Sequence, residues 1–132
     1  MIKKSDSPKA KKHATLKQAK PFLDAFSYFY EINKATTQFF IKNTYPITLK
    51  KGEMLHKSGA ICNYIYFITH GAIRGFVKDD NKDKITWISI ENEMVTSIYS
   101  YYMQKPSVEN MDAIEDCELL SMSHESLQEM YL

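Results

Sequence analysis

Short segments in which apolar and polar residues alternate run from Ile47 to Met122 and are separated by turn residues. Successive side chains of a strand point to opposite faces, so this alternation predicts strands with one buried and one exposed face. About six or seven strands at this spacing predict an antiparallel sandwich or barrel, and we favour a small jelly roll. The clearest strand predictions are residues 63–69, 72–78, 84–90 and 117–122.

Two helical segments are predicted before the strands. Phe22, Phe26, Phe29 and Tyr30 recur at the spacing of one helix face, and Pro21 suits the first turn of that helix. The helix-compatible run at residues 32–38 follows, and Pro46 closes the region. We therefore expect a short helical preface to the strands.

Two further short helices are predicted later in the chain. The run at residues 94–103 has apolar residues at helical spacing and interrupts the strand pattern. The last segment begins with Ser123, which is a suitable N-cap residue, and Glu125 favours the first turn. We expect this final helix to be the start of a longer one.

Charge is distributed unevenly between the beginning and the rest of the chain. Residues 1–20 carry a net charge of +6, all of it from Lys, and we interpret them as a flexible leader before a single domain at 21–132. The domain carries −5, and residues 106–132 have seven carboxylates and no Lys or Arg. This field repels a phosphate backbone, so the domain itself is not expected to bind nucleic acid.

The sequence has none of the features of a membrane or secreted protein. No stretch approaches the roughly 18 consecutive apolar residues of a spanning helix, and the start lacks an apolar signal region. The two cysteines, Cys62 and Cys117, lie far apart, which predicts buried free thiols. We expect a cytoplasmic location and no membrane partner.

Residues 50–76 and 113–131 resemble the cyclic-nucleotide-binding domain of the Crp/Fnr transcription regulators. The resemblance is carried by the bend Lys51-Gly52-Glu53, by Gly59, and by the run 66–74 with its glycine and Arg74. The acidic bend and last strand at 113–122 are also similar, so the resemblance covers about residues 22–132. It implies a mainly β, antiparallel jelly roll with flanking short helices and an inner effector pocket.

The resemblance also implies partners. Members of this family form homodimers through a long helix and bind DNA through a C-terminal helix-turn-helix domain. In this chain the dimer helix would be truncated and the DNA-binding domain absent. The resemblance therefore implies the effector-sensing domain of a transcription regulator, with a small-molecule effector of unknown identity.

In the family, a phosphate-binding cassette carries a Gly-Glu pair that holds the ribose and an Arg-Ser/Thr-Ala triplet that holds the cyclic phosphate. Alignment on the flanking acidic residues places the pair on Thr96-Ser97 and the triplet on residues 107–109. Ser107 supplies no charge and Glu109 would repel an anion, whereas a buried phosphate needs a cation. We therefore predict a degenerate cassette that does not bind cAMP in the usual way.

The remaining pocket candidates have alternative interpretations. Arg74 either points inward towards Ser97 and Ser107 or points outward and pairs with a neighbour such as Glu91. Trp87 either stacks with tyrosines against a ligand ring or packs in the core. The candidate pocket comprises Arg74, Trp87, Thr96, Ser97, Tyr99, Tyr102 and Ser107.

Two other functions remain open. One is a ligand-free dimerisation or interaction scaffold. The other is a cupin-like metal enzyme, which would carry a His-x-His pair followed by Glu. The four histidines are dispersed and no catalytic motif is present. We therefore expect no enzymatic activity, no metal and no cofactor.

Overall fold

The computed structural model describes residues 12–28 and 31–130 of the chain. No helix in these two ranges combines the length and apolar character needed to cross a membrane. The helices and strands, in chain order, are α1 (Leu16–Ser27), α2 (Lys34–Asn43), β1 (Thr44–Leu49), β2 (Met54–His56), β3 (Tyr64–His70), β4 (Ile73–Asp79), β5 (Lys82–Ser89), β6 (Met94–Val95), α3 (Ile98–Met103), β7 (Asn110–Ala113), β8 (Cys117–Ser123) and α4 (His124–Met130).

The strands form two four-stranded antiparallel sheets. The first has the order β1-β8-β3-β6 and the second has the order β2-β7-β4-β5. Apart from the β4–β5 hairpin, neighbouring strands in each sheet are distant in sequence, as in a jelly roll. The prediction of a mainly β, antiparallel fold with short flanking helices is confirmed.

The core of the sandwich is built from alternate residues of facing strands. On β8, Cys117 and Leu119 point into the space between the sheets, whereas Leu120 and Met122 face the other way. On β4, Ile73 is fully buried in the same interior. Side-chain alternation therefore determines which residues of each strand are able to reach an inner pocket.

The two N-terminal helices cover the outer face of the first sheet. The Phe22 ring stacks on Phe40 with centroids 4.1 Å apart and meets Phe67 of β3 edge-on at 5.1 Å. Burial of such aromatic rings contributes about 2–3 kcal/mol each. The preface predicted from sequence is therefore an integral layer of the domain.

The predicted start of α1 at Pro21 is wrong, because the helix begins at Leu16 and contains Pro21. Thr15 and Gln18 form a capping box that fixes the earlier start. The stabilisation from this cap outweighs the loss of the one backbone hydrogen bond that Pro21 cannot donate. Residues 16–20 of the predicted leader are thus helical. Residues 1–11 of that leader, and Phe29 and Tyr30 of the predicted helix face, lie outside the described residues.

The helix predicted over 94–103 is shorter than expected. Met94 and Val95 form β6, which pairs with Tyr66 and Phe67 of β3, and α3 begins only at Ile98. Val95 is buried in the sandwich interior, so its packing favours the extended conformation. Residues 94 and 95 therefore extend the first sheet and do not form the first turn of the predicted helix.

Candidate functional site

The candidate site lies in the segment of residues 96–109, which connects β6 to β7 and contains α3. Ser100 and Tyr101 are the buried residues of this helix. The Ser100 hydroxyl donates to the carbonyl of Lys105 and accepts the backbone N–H of Cys62 at 2.8 Å. These two hydrogen bonds attach the 96–109 segment to Cys62, which lies just before β3. They fix the backbone of the segment on its buried side.

The structure brings Ser97 and Ser107 of the candidate pocket together. Their hydroxyl oxygens lie 2.9 Å apart, and the two residues are 4% and 3% exposed. The Ser107 Oγ accepts the Glu109 N–H at 3.0 Å and contacts the Glu109 carbonyl oxygen at 3.1 Å. A hydroxyl has one proton and two lone pairs, so Ser97 donating to Ser107 and Ser107 donating to Glu109 satisfies all three contacts.

Thr96 is turned away from the serine pair. Its hydroxyl donates to the Tyr64 carbonyl at 2.9 Å and lies 3.4 Å from the Cys62 sulfur. These contacts hold the start of the 96–109 segment against β3. Thr96 therefore anchors the segment, and its hydroxyl proton is already used in a hydrogen bond.

Trp87 packs against the interior cluster, which agrees with the core-packing alternative. Its indole lies over Gly75, where an added Cβ would come within 2.1 Å of the ring. The indole Nε1 donates to the Glu109 carboxylate at 3.2 Å. Glu109 is thus a site residue that the candidate pocket omitted. The sequence signal for it was weak, because the two residues belong to different elements.

Arg74 is not brought together with the serine pair. Because Ile73 faces the interior, Arg74 lies on the outer face of the second sheet. Its Nε donates to Asp112 Oδ1 at 2.7 Å, and its terminal nitrogen donates to Asp112 Oδ2 at 3.1 Å and Asp83 Oδ2 at 3.0 Å. These hydrogen bonds, first that of Asp112, raise the Arg74 pKa despite partial burial.

The predicted pairing of an outward Arg74 with Glu91 is wrong. Glu91 instead accepts the backbone N–H of Gly71 at 2.8 Å, and this bond lowers the pKa of its carboxyl group. Gly71 adopts a φ of +101°, and an added Cβ would lie 2.6 Å from the Asp116 carbonyl. Glu91 therefore fastens the β3–β4 turn, for which glycine is required.

Tyr99 and Tyr102 do not form a wall with Trp87. They are 59% and 61% exposed, whereas Tyr101 takes the buried position of α3. Tyr102 instead contributes to a groove of about 500 Å³ on the outer face of the first sheet. The aromatic lining of that groove includes Phe22, Phe26, Phe40 and Phe67. The predicted stacking surface is therefore absent from the described interior.

Ser97 and Ser107 contribute neutral hydroxyls to the site, and Glu109 of the same segment contributes a carboxylate. The one basic residue of the 96–109 segment is Lys105, which is exposed. Within residues 12–28 and 31–130, no group of three or more His, Cys, Asp or Glu residues is placed to hold a metal ion. The site offers hydrogen bonds to a neutral or weakly polar group and no cation to a buried phosphate.

Residues 46–132 match the family described as "Cyclic nucleotide-binding domain". This match covers most of the chain, and the chain belongs to that family. Domains of this fold are typically regulatory rather than catalytic. No curated protein sequence matches the chain.

Solved structures show the same fold at low sequence identity. A cyclic nucleotide-binding domain from Methylobacillus flagellatus is 11% identical, with a TM-score of 0.79 and coverage of 98% of this chain and 74% of that one. The Thermus thermophilus catabolite activator protein is 16% identical, with a TM-score of 0.67 and coverage of 77% and 48%.

A third structure is a regulatory subunit of a cAMP-independent protein kinase A from Trypanosoma brucei. It carries a Glu→Ala, a Thr→Arg and a Val→Ala substitution and is bound to cAMP in its A site. It is 14% identical, with a TM-score of 0.69 and coverage of 82% of this chain and 40% of that one. This chain thus spans less than half of the activator protein and of the kinase subunit.

Proposed function

We propose that the chain is the effector-sensing domain of a Crp/Fnr-type regulator in which the usual contact to a cyclic phosphate has been lost. An effector contacting the 96–109 segment would shift the equilibrium between two positions of that segment and of the following α4. In the proposed regulator, homodimerisation involves the outgoing helix, and DNA is bound by a separate domain.

The observation that carries the proposal is the hydrogen bond between the buried Ser97 and Ser107 hydroxyls, 2.9 Å apart. In the family-based alignment, these positions face the ribose and the cyclic phosphate. A phosphate placed between them would break this bond and find no compensating cation. An uncompensated buried anion costs at least several kcal/mol, which is more than two hydroxyl donors return.

Glu109 adds a second obstacle to an anionic ligand. Its carboxylate is oriented by the Trp87 indole N–H at 3.2 Å, and its backbone N–H is already bonded to Ser107. A like charge within about 4–6 Å disfavours an anion more strongly as water is excluded. Glu109 and Ser107 therefore act in the same direction against cAMP.

The kinase subunit from Trypanosoma brucei supports this interpretation. That protein is cAMP-independent, and its cAMP-bound form carries one substitution to Arg and one that removes a Glu. Here Ser107→Arg would supply a cation in the same way, whereas Glu109→Ala is chosen from this structure, because the Glu replaced in the kinase subunit lies before the Thr→Arg position and Glu109 follows Ser107. We expect this double variant to gain the cation and lose the opposing carboxylate.

Calorimetric titration with cAMP tests the proposal. We expect no saturable heat from the natural chain and measurable binding by the Ser107→Arg/Glu109→Ala variant. A Ser107→Gln/Glu109→Ala variant is the matched control, because it opens the same space without adding a charge. Saturable cAMP binding by the natural chain at micromolar concentration would refute the loss of the phosphate contact.

A ligand-free scaffold is the second candidate, and the position of Trp87 favours it. The indole lies over Gly75 in the interior and leaves no space even for an added Cβ there. Thermal-shift screening against nucleotides and small acids separates the two functions. A reproducible stabilisation supports effector sensing, and its loss in a Ser97→Ala variant assigns the effector to this site. Complete absence of stabilisation supports the scaffold.

A further inference from the structure

The Glu109 carboxylate has no cationic partner in the part of the chain that the structure describes. It accepts the Trp87 indole N–H at 3.2 Å, and none of the ion pairs within residues 12–28 and 31–130 includes it. Glu109 is half-buried, whereas Lys105, the basic residue of the same segment, is exposed. A partly buried carboxylate without a counter-ion attracts a positive charge more strongly than an exposed one does.

The charge around Glu109 has the same sign as its carboxylate. Residues 106–132 contain seven carboxylates and no Lys or Arg. The chain's single arginine, Arg74, lies on the outer face of the second sheet, where it is bonded to Asp83 and Asp112. The surroundings that disfavour a phosphate at this site therefore favour a cation.

The buried serine pair offers acceptors that suit an ammonium group. Ser107 Oγ lies 2.9 Å from Ser97 Oγ and makes its other two contacts with the Glu109 backbone. An N–H donor in place of the Ser97 hydroxyl leaves Ser107 with all of its hydrogen bonds. The released Ser97 oxygen accepts a second N–H, and its proton is free to bond a polar atom of the ligand.

The available ligand groups select an organic cation rather than a metal ion. Among the described residues, no group of three or more His, Cys, Asp or Glu is placed to hold a metal. One carboxylate and two neutral hydroxyls are fewer oxygen ligands than a hard divalent cation takes. A primary ammonium group has three N–H donors and a single positive charge, which match two hydroxyl oxygens and one carboxylate.

We propose that the effector is a small organic cation whose primary ammonium group binds Glu109 and the serine pair, at the position that the family-based alignment gives to the cyclic phosphate. This inference rests on the proposed function, because it names the effector class of the same segment. Binding of the cation separates Ser97 from Ser107, and loss of that bond releases the 96–109 segment. Glu109 is then the residue that determines specificity.

Three probes that share the adenosine scaffold test the charge of the effector. At neutral pH, 5′-amino-5′-deoxyadenosine carries an ammonium group, adenosine is uncharged and cAMP carries the cyclic phosphate. In calorimetric titrations of the natural chain, we expect the amine to bind at least about tenfold more tightly than adenosine, and cAMP to give no saturable heat. Trp87 is the only tryptophan and is bonded to Glu109, so its emission should change with the amine.

The outcomes of these titrations separate the two proposals. Equal affinity for the amine and adenosine, or no binding of the amine, would overturn the cationic effector and leave the lost phosphate contact intact. Saturable binding of cAMP at micromolar concentration would refute the proposed function itself.

Glu109→Gln tests the residue directly. Glutamine keeps an oxygen that accepts the Trp87 N–H but carries no charge, so the variant should fold, as circular dichroism verifies. We expect at least about tenfold weaker binding of the amine and a change within about twofold for adenosine. Glu118→Gln is the matched control, because it removes one carboxylate from an exposed position on β8 and should keep the preference. An unchanged preference in Glu109→Gln would exclude Glu109 as the determinant.

Discussion

Arg74 and Asp112 form a two-point hydrogen-bonded ion pair that joins β4 to β7 on the outer face of the second sheet. The two bonds measure 2.7 Å and 3.1 Å, and the side chains are 22% and 12% exposed. The guanidinium also lies 4.1 Å from the centre of the Phe76 ring. Arg74 is the chain's single arginine, and its fork geometry serves this contact rather than a ligand.

Replacement of Arg74 should therefore reduce stability. We expect Arg74→Ala to lower the free energy of unfolding by about 2 kcal/mol, because Asp112 keeps a largely buried carboxylate without its partner. Urea denaturation followed by circular dichroism measures this change. Lys78→Ala is the control at an exposed ion pair and should cost less than about 1 kcal/mol. Equal losses in the two variants would show that the Arg74–Asp112 pair stabilises the fold no more than an exposed ion pair does.

Gly75 should tolerate no side chain, because the Trp87 indole occupies the space. An added Cβ would lie 2.1 Å from a ring carbon, so Gly75→Ala should cost about 1–3 kcal/mol through displacement of the indole. Trp87 is the only tryptophan, so its fluorescence reports this displacement directly. We expect a red-shifted emission and a lower urea midpoint. Gly59→Ala is the control for the emission, because no atom lies within 4 Å of the added Cβ there; its φ of +91° makes alanine strained, so it should lower stability without shifting the Trp87 emission.

The fold was predictable because the pattern that specifies each strand lies within a few neighbouring residues. Alternation along residues 72–78 identifies the two faces of β4, and the turn residues separate the strands. The start of α1 was not predicted correctly, because Pro21 suggested a helix beginning while the capping box at Thr15 determined it. Local patterns therefore predict the elements more reliably than they predict their ends.

The site was predictable only in part because its contacts are long-range. The resemblance assigned both Ser97 and Ser107 to the cassette, and the structure adds that the two hydroxyls form a hydrogen bond. The partner of Arg74 is 38 positions away on β7, and periodicity contains no information about that distance. Glu109 likewise meets Trp87 only because two separate elements converge.

The thiol of Cys117 should react slowly in the folded protein. It is buried, its Sγ lies 3.1 Å and 3.3 Å from two backbone carbonyls, and burial raises its pKa. In a Cys62→Ser background, we expect modification by a thiol reagent on the order of 100-fold slower than in urea, because exposure requires opening of the fold. The matched variant Cys117→Ser retains Cys62 and should be protected similarly. Rapid native labelling of Cys117 would show that β8 opens locally.

His56 should make the stability of the domain depend on pH in a defined window. Its side chain is buried, its Nε2 has no hydrogen-bond partner among the described residues, and burial lowers its pKa from 6.5. Below pH 6.5 the unfolded chain binds a proton that folded His56 takes up only at lower pH. The free energy of unfolding should therefore fall as the pH drops below this value and stay independent of His56 above it.

Urea denaturation between about pH 7.5 and 5.5 compares the natural chain with His56→Gln. We expect the variant to lose much of the pH dependence in this range, whatever its absolute stability, because the titrating group is gone. His70→Gln is the matched control for loss of a histidine, because the His70 side chain is 66% exposed and lacks the burial that distinguishes His56. The lowered pKa values of Asp83 and Glu91 affect stability only at more acidic pH. A His56→Gln slope equal to that of the natural chain would show that His56 does not titrate differently in the folded state.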